Sequence, residues 1–295
     1  MQEWQKDYIK YYEQKDRDEL IRIKKKYMPK KLYKFNSCDE KSLDNLFNSK
    51  IHLSSSENFN DPYDSKPLFC PDDLWRFALK DEMLMKVLDS YGISKNILDN
   101  NIIEYSKFVY RLQRSMLDYM TNFRISCFTE NDYTSMLMWS HYANAHSGFC
   151  LEFNTDSFTP EQLYDIHPVI YSDKIYDLTF CLCKILKSKL KRYQGSKRIY
   201  FEISTLHKDL SWSYEKEWRI IKAGTTFATM SKPSAIYLGV NIDDEDRKKI
   251  TEWCNSCNIP IFNMRQKGNE YKLVPKRIFQ AQIQSSKEVQ ACEVL

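Results

Sequence analysis

Apolar residues recur at helical spacing through residues 2–28, where Trp4, Tyr8, Tyr11, Tyr12, Ile23 and Tyr27 stand among charges and predict one amphipathic helix ending at Pro29. Its apolar face packs on the rest of the chain or on a second copy, a homo-oligomer contact. From residue 30 the period changes. Short apolar runs predict strands at Leu32 to Phe35 and Ile51 to Ser54, on either side of a helix from Lys41 to Asn48, and Asn60-Asp61-Pro62 predicts a turn. Residues 72–121 return to helical spacing in two runs, Leu74 to Leu88 and Ile102 to Tyr119, parted at Ser90 to Ser94. They read as a helical insertion between strands.

Farther on, strands at Arg124 to Phe128 and Gly148 to Phe153 flank a short helix holding Trp139 to Tyr142. A strand at Pro168 to Tyr171, a basic helical stretch over 176–208 and a strand at Ser211 to Lys222 follow. Then come a strand at Ala235 to Val240, a helix from Asp243 to Cys257 with an acidic first turn, and two strands near Ile259 to Met264 and Tyr271 to Val274. Strands and helices mix without strict alternation, so the expected class is α+β around a mixed, mainly antiparallel sheet. The expected organisation is an N-terminal helix over 1–29, one domain over 30–284 with its insertion at 72–121, and a frayed tail over 285–295.

Composition narrows the function classes. Hydrophobic residues make up 42% and charged ones 28% of the 295, which suits a folded globular chain. Aromatics reach 14%, with 20 Tyr against 6 Gly, and neither a P-loop nor a GxGxxG phosphate loop occurs. A net charge of +4 is too small to require a nucleic-acid partner; the lysine-rich runs at Arg22 to Lys31 and Lys184 to Arg198 read as solvated helix faces. Nine cysteines, odd in number and irregularly spaced, point to reduced thiols in a cytoplasmic setting. No apolar run reaches the ~18 residues that would span a membrane.

Four blocks concentrate chemistry. On a strand, Glu215, Glu217 and Arg219 would share one face and Trp212, Tyr214, Lys216 and Trp218 the other. That pattern is either a half-buried strand with charges in water or the wall of an active site. Ser54-Ser55-Ser56 are turn formers or the end of a ligand-binding strand; Gly-x-Ser-x-Gly is absent. Met138-Trp139-Ser140-His141-Tyr142-Ala143 is a core helix or a ligand-facing aromatic cluster. Leu32-Tyr33-Lys34 is the fourth block. Metal patterns are weak: Cys254-x-x-Cys257 has no second pair, Cys181 and Cys183 diverge on a helix, and His141 and His146 are five apart. A Mg²⁺ nuclease built from Asp61, Glu152, Glu215 and Glu217 is one alternative. A non-catalytic module sensing a nucleotide or peptide is another.

At these blocks the chain resembles a bacterial family known only as domain of unknown function 2971. The resemblance runs over Leu32 to Phe35, Ile51 to Asp64, Met138 to Ala143 with Gly148 to Phe153, and Trp212 to Ile220. More distantly the order of blocks is similar to the ADP-ribosyltransferase fold, in which an early basic residue holds NAD, a Ser-rich strand end lies by the nicotinamide ribose and a late Glu-x-Glu is catalytic. That resemblance implies NAD as substrate, with Glu217 stabilising an oxocarbenium-like ribose and Glu215 positioning or deprotonating an acceptor macromolecule or water. It further implies NAD contacts from Tyr33, Lys34, Ser54, Ser55, Trp139, His141, Tyr142 and Arg219, and a role in defence, as a toxin, or in stress.

Overall fold

A computed structural model describes residues 2–94, 102–188 and 197–278. The expected frayed tail at 285–295 lies outside them. Among the described residues twelve strands alternate irregularly with helices, and the class is α+β with mainly antiparallel pairing. The strands are β1 Lys31–Asn36, β2 Lys50–His52, β3 Phe123–Thr129, β4 Phe149–Asn154, β5 Ile166–Pro168 and β6 Ile170–Ser172, then β7 His207–Asp209, β8 Glu217–Ala223, β9 Phe227–Thr229, β10 Ala235–Leu238, β11 Ile261–Gln266 and β12 Leu273–Arg277. The chain divides into two compact units, each drawn from three separate stretches.

The first unit takes residues 1–34, 44–132 and 153–232. Its strands run in the order β1-β3-β8-β5, every neighbour antiparallel, with Tyr33 opposite Thr129, Thr129 opposite Glu217, Cys127 opposite Arg219 and Arg219 opposite His167. The insertion comprises helices Pro71–Lys80, Glu82–Asp89 and Ile102–Met120. It holds one break more than the spacing suggested, because the Asp81 side chain accepts from the Leu84 amide and caps a new helix. With helices Thr179–Ser188 and Lys197–Ser204 it builds a core of Leu74, Leu84, Leu88, Phe123, Ile203 and Leu206, each at most 2% exposed. Burial on this scale supplies the main stabilisation of the fold.

The N-terminal segment is two helices, α1 Glu3–Gln14 and α2 Arg17–Tyr27, where the periodicity had suggested one. Lys15 adopts a left-handed φ of 60°, and the Asp16 side chain accepts from the Glu19 amide to start the second helix. Both dock on their own chain. Tyr8 Oη lies 2.6 Å from His167 Nδ1, Tyr12 Oη donates to Glu202 Oε2 at 2.9 Å, and Lys24 Nζ donates to the carbonyls of Leu163 and Tyr164 at 2.8 Å each. Lys24 is wholly buried, and burial pulls its amine down to about 7.

A larger correction concerns the stretch expected as a strand over Ser211 to Lys222. Residues Leu210–Glu215 form a 3₁₀ turn capped by the Asp209 side chain on the Ser211 amide, and Lys216 turns the chain at φ 47°. Extended backbone begins only at Glu217. Short polar caps and one left-handed lysine thus override an alternation that imitates a strand. Likewise the expected strand at Pro168 to Tyr171 divides into β5 and β6, and the end of the basic helical stretch is β7, which pairs in parallel with β6.

The described residues of the second unit are 35–43, 133–152 and 233–278. Its strands run β12-β11-β10-β4, antiparallel except for β10 beside β11, with helices Met136–Tyr142 and Asp244–Cys257. The loop after the first of these helices places Asn144, Ala145 and His146 consecutively at positive φ. It is held closely: a Cβ on Gly239 would lie 2.1 Å from the His146 carbonyl oxygen, and one on Gly148 2.0 Å from that of Asn36. Only glycine permits either approach. No helix among the described residues is long and apolar enough to cross a membrane.

Candidate functional site

The charged side chains at the start of β8, and Glu215 on the turn before it, point inward. Glu215, Glu217 and Arg219 are 2%, 5% and 0% exposed, so the alternation of polar and aromatic residues does not separate water from core here. Trp218 is buried as well and donates its Nε1 to Glu130 Oε1 at 2.8 Å, whereas Tyr214 remains exposed. Burying three charges is unfavourable unless counter-charges meet them with good geometry.

Two residues not singled out in the sequence supply those charges. Asp64, four residues beyond Asn60, takes both ends of the Arg219 guanidinium, Nη1 to Oδ1 at 2.7 Å and Nη2 to Oδ2 at 2.6 Å. Arg219 also donates to Glu217, Nε to Oε1 at 2.8 Å and Nη2 to Oε2 at 3.0 Å, and to the Thr205 carbonyl at 2.5 Å. Lys208, on β7, donates to Glu215 Oε2 at 2.5 Å and Glu217 Oε2 at 3.1 Å, with Asp64 Oδ2 at 3.5 Å. Such forked, charge-assisted bonds are the strong class. Burial alone would raise the Glu217 carboxyl, but Arg219 and then Lys208 outweigh it and hold it at about 2. Burial alone would lower the Lys208 amine; Glu217, ahead of Asp64 and Glu215, outweighs it and pushes the amine up.

The backbone around this network is fixed from several sides. Tyr171 on β6 accepts the Glu217 amide on its hydroxyl at 2.8 Å, and β6 places Tyr171 opposite Lys208. Thr129 Oγ1 donates to the Glu215 carbonyl at 2.5 Å, and Asn131 donates to the Tyr214 carbonyl at 2.7 Å. Phe59, just after the serine run, lies with its ring 5.4 Å from the Arg219 guanidinium.

Beside the network is a cleft of about 560 Å³ within the first unit. Lys208 reaches it; Glu215 and Glu217 are not among its lining residues. One wall is Asn60, Asp61, Pro62 and Tyr63, and another is Ser172 to Tyr176, where Tyr176 stacks on His207 with ring centroids 4.2 Å apart. Trp212 completes the lining, its ring 5.0 Å from Lys208 Nζ. The cleft is of the size and mixed polarity usual for a small-molecule site.

The other expected contact residues fall as follows. Tyr33 is buried on β1, and Lys34 beside it donates Nζ to the Cys127 carbonyl at 3.2 Å, with burial lowering its amine. Ser54 forms a backbone bridge with Ile125, and Ser55 caps the turn Ser56–Asn58. None of these four lines the cleft. In the second unit Trp139 is wholly buried, its Nε1 donating to the Tyr133 carbonyl at 2.7 Å and its ring edge-on to Phe35, which is a core role. His141 is exposed and Tyr142 half-buried, their rings 6.2 Å apart. Of the four carboxylates considered for Mg²⁺, Glu152 belongs to that second unit and accepts from Ser234 and Tyr237. Among the described residues no group of three or more His, Cys, Asp or Glu side chains is placed to hold a metal ion.

Residues 138–220 match the model of a family described as a protein of unknown function, DUF2971. The match takes in Met138 to Ala143 and Trp212 to Ile220, two of the four blocks. No curated protein and no solved structure matches the chain.

Proposed function

We propose that the chain is a binding module whose cleft takes a small ligand with a planar ring, a nucleoside or nicotinamide nucleotide, with Glu215 and Glu217 as fixed counter-charges under its floor. The observation that supports this reading most is the position of Lys208: it faces the cleft while its charge is already met by the two glutamates and Asp64. A residue held from below by three carboxylates is a rigid surface for a ligand, and Trp212 beside it offers a stacking face. Glu217, held low by Arg219 and Lys208, is a poor proton carrier near neutral pH.

NAD cleavage with ADP-ribosyl transfer is the second reading, and one observation favours it. Glu217 is held as a carboxylate, the state that would stabilise an oxocarbenium-like ribose. For that chemistry Lys208 must yield its place, so that the ribose reaches Glu217.

Calorimetric titration with NAD, nicotinamide mononucleotide and adenosine monophosphate, combined with a nicotinamide-release assay, tests both. Binding that weakens about tenfold or more in Trp212→Ala supports the module, because a stacked base is worth about 1–3 kcal/mol. Nicotinamide release that Glu217→Gln abolishes without loss of binding supports the transferase. Failure of all three compounds to bind, or binding indifferent to Trp212→Ala, refutes the cleft as the ligand site.

A further inference from the structure

β12 is the edge strand of its sheet, and with β11 it forms a hairpin turned by Gly268, Asn269, Glu270 and Tyr271. Asn263 lies opposite Lys276 and Arg265 opposite Val274, and the Lys267 amide donates to the Lys272 carbonyl at 2.9 Å. Residues directly opposite or two apart share a face, so Arg265, Lys267, Lys272 and Lys276 stand together on one side of this ribbon. All four are exposed. Among the described residues only Lys267 of the four has an ion-pair partner, Glu270 Oε1 at 2.6 Å. In the acidic first turn of helix Asp244–Cys257, Asp244 is met by Arg247 and Glu245 by Lys249, both within that helix.

Like charges opposed across a ribbon repel, so this arrangement is unfavourable until an anion lies over it. Edge strands carry lysine and proline to refuse a further strand, and Lys272, Pro275 and Lys276 suit that purpose. Arg265 and Lys267 belong to the inner strand side of the hairpin, where that need does not arise. At its tip the ribbon bounds a cavity of about 510 Å³ together with Met136, and Lys267 and Lys272 reach this cavity too. The side-chain amides of Gln266 and Asn269 line it and make no hydrogen bond among the described residues. Tyr271, wholly exposed, offers a ring face beside it.

We propose that this ribbon binds single-stranded nucleic acid, with phosphates along Arg265, Lys267, Lys272 and Lys276 and one base on the Tyr271 ring at the cavity. Phosphates repeated along a strand match a row of cations, and an aromatic face accepts any base. The amides of Gln266 and Asn269 carry both donors and acceptors, as the edge of such a base requires. A lipid surface or an acidic peptide supplies anions without a ring to fill the cavity. The ribbon lies in the second unit and does not rest on the reading of the cleft in the first. A mononucleotide can meet only one or two of the four cations, so titrations with it report on the cleft.

The test follows the fluorescence anisotropy of a labelled oligouridylate of about twelve nucleotides with the full chain, at salt concentrations from about 50 mM upward. Four phosphate contacts at about 0.7 each give an expected slope of log K against log salt of about −3. The paired substitution Arg265→Gln with Lys276→Gln should halve that slope and weaken binding about tenfold or more at the lowest salt. Tyr271→Ala should weaken it about fivefold or more with the slope kept. All three side chains are exposed, so melting temperatures should stay near that of the unmodified chain. Trp212→Ala should bind the strand as the unmodified chain does. Absence of binding at the lowest salt, or an affinity and slope unmoved by the paired substitution, overturns the proposal. So does binding indifferent to Tyr271→Ala, or displacement of the strand by poly-glutamate or by vesicles of phosphatidylserine and phosphatidylcholine as readily as by unlabelled strand, since charge alone would then suffice. Loss of the strand in Trp212→Ala with the ribbon variants unaffected would move it to the cleft and likewise overturn the ribbon as its site.

Discussion

Replacing Arg219 by methionine isolates the central claim about the buried network. Arg219 is wholly buried and holds Asp64 at 2.7 and 2.6 Å and Glu217 at 2.8 and 3.0 Å. Methionine fills much of the same space but leaves the carboxylates of Asp64, Glu215 and Glu217 facing Lys208 alone. Removing one partner of a buried pair costs about 3–5 kcal/mol, because the other charge is left uncompensated. At about 2–4 °C per kcal/mol for a chain of this size, the melting midpoint should fall by about 6–20 °C. Adding Asp64→Asn to Arg219→Met removes one stranded charge and should recover part of that loss, a non-additivity that a double-mutant cycle reads directly. Acid titration gives an independent check. The Glu217 carboxyl is lower in the folded chain than its ordinary 4.5, so its stabilisation is complete above that value and disappears as pH falls toward about 2. Arg219→Met should shrink this acid-dependent limb. A loss below about 1 kcal/mol, typical of exposed ion pairs, with an unchanged acid limb would refute the view of a tightly coupled interior network.

Two further predictions concern the scaffold. Lys24, whose amine burial lowers from 10.5 to about 7, leaves the folded chain with fewer bound protons than the unfolded one between those values. Stability should therefore rise with pH from about 7 to 10.5 in urea titrations of the unmodified chain, and Lys24→Met should flatten that slope. Gly239→Ala should destabilise by about 1–3 kcal/mol through overpacking, while Gly268→Ala, where an added Cβ meets nothing within 4 Å, should be near neutral in the same melting assay.

The cadence of apolar residues carried much of the architecture. It located most of the strands, the helical insertion and the helix capped by Asp243. It failed where a single side chain redirects the backbone. Lys15 and Lys216 take left-handed conformations that nothing in lysine's identity announces, and each breaks an element that periodicity extends through it. The Asp16 and Glu19 pair was a readable start signal for α2. At the site, the placement of Glu217 and Arg219 on one face was legible from their spacing. Whether that face met water was not, because the deciding partner, Asp64, comes from 155 positions away in sequence. Lys208 was hidden for a different reason: it is one lysine among 44 basic residues, and only the pairing of β6 with β7 singles it out.

The way α1 and α2 are seated bears on how this protein can be handled at the bench. Deleting the first 28 residues would not trim a dangling end; it would take from His167 and the carbonyls of Leu163 and Tyr164 the side chains that bond them, and leave Glu202 with Arg198 but without Tyr12. His167 sits directly across from Arg219 in the sheet, so the wound would open beside the ionic cluster itself. A shortened version that aggregates would therefore report a breached interior, and biochemistry done on it would describe a different molecule.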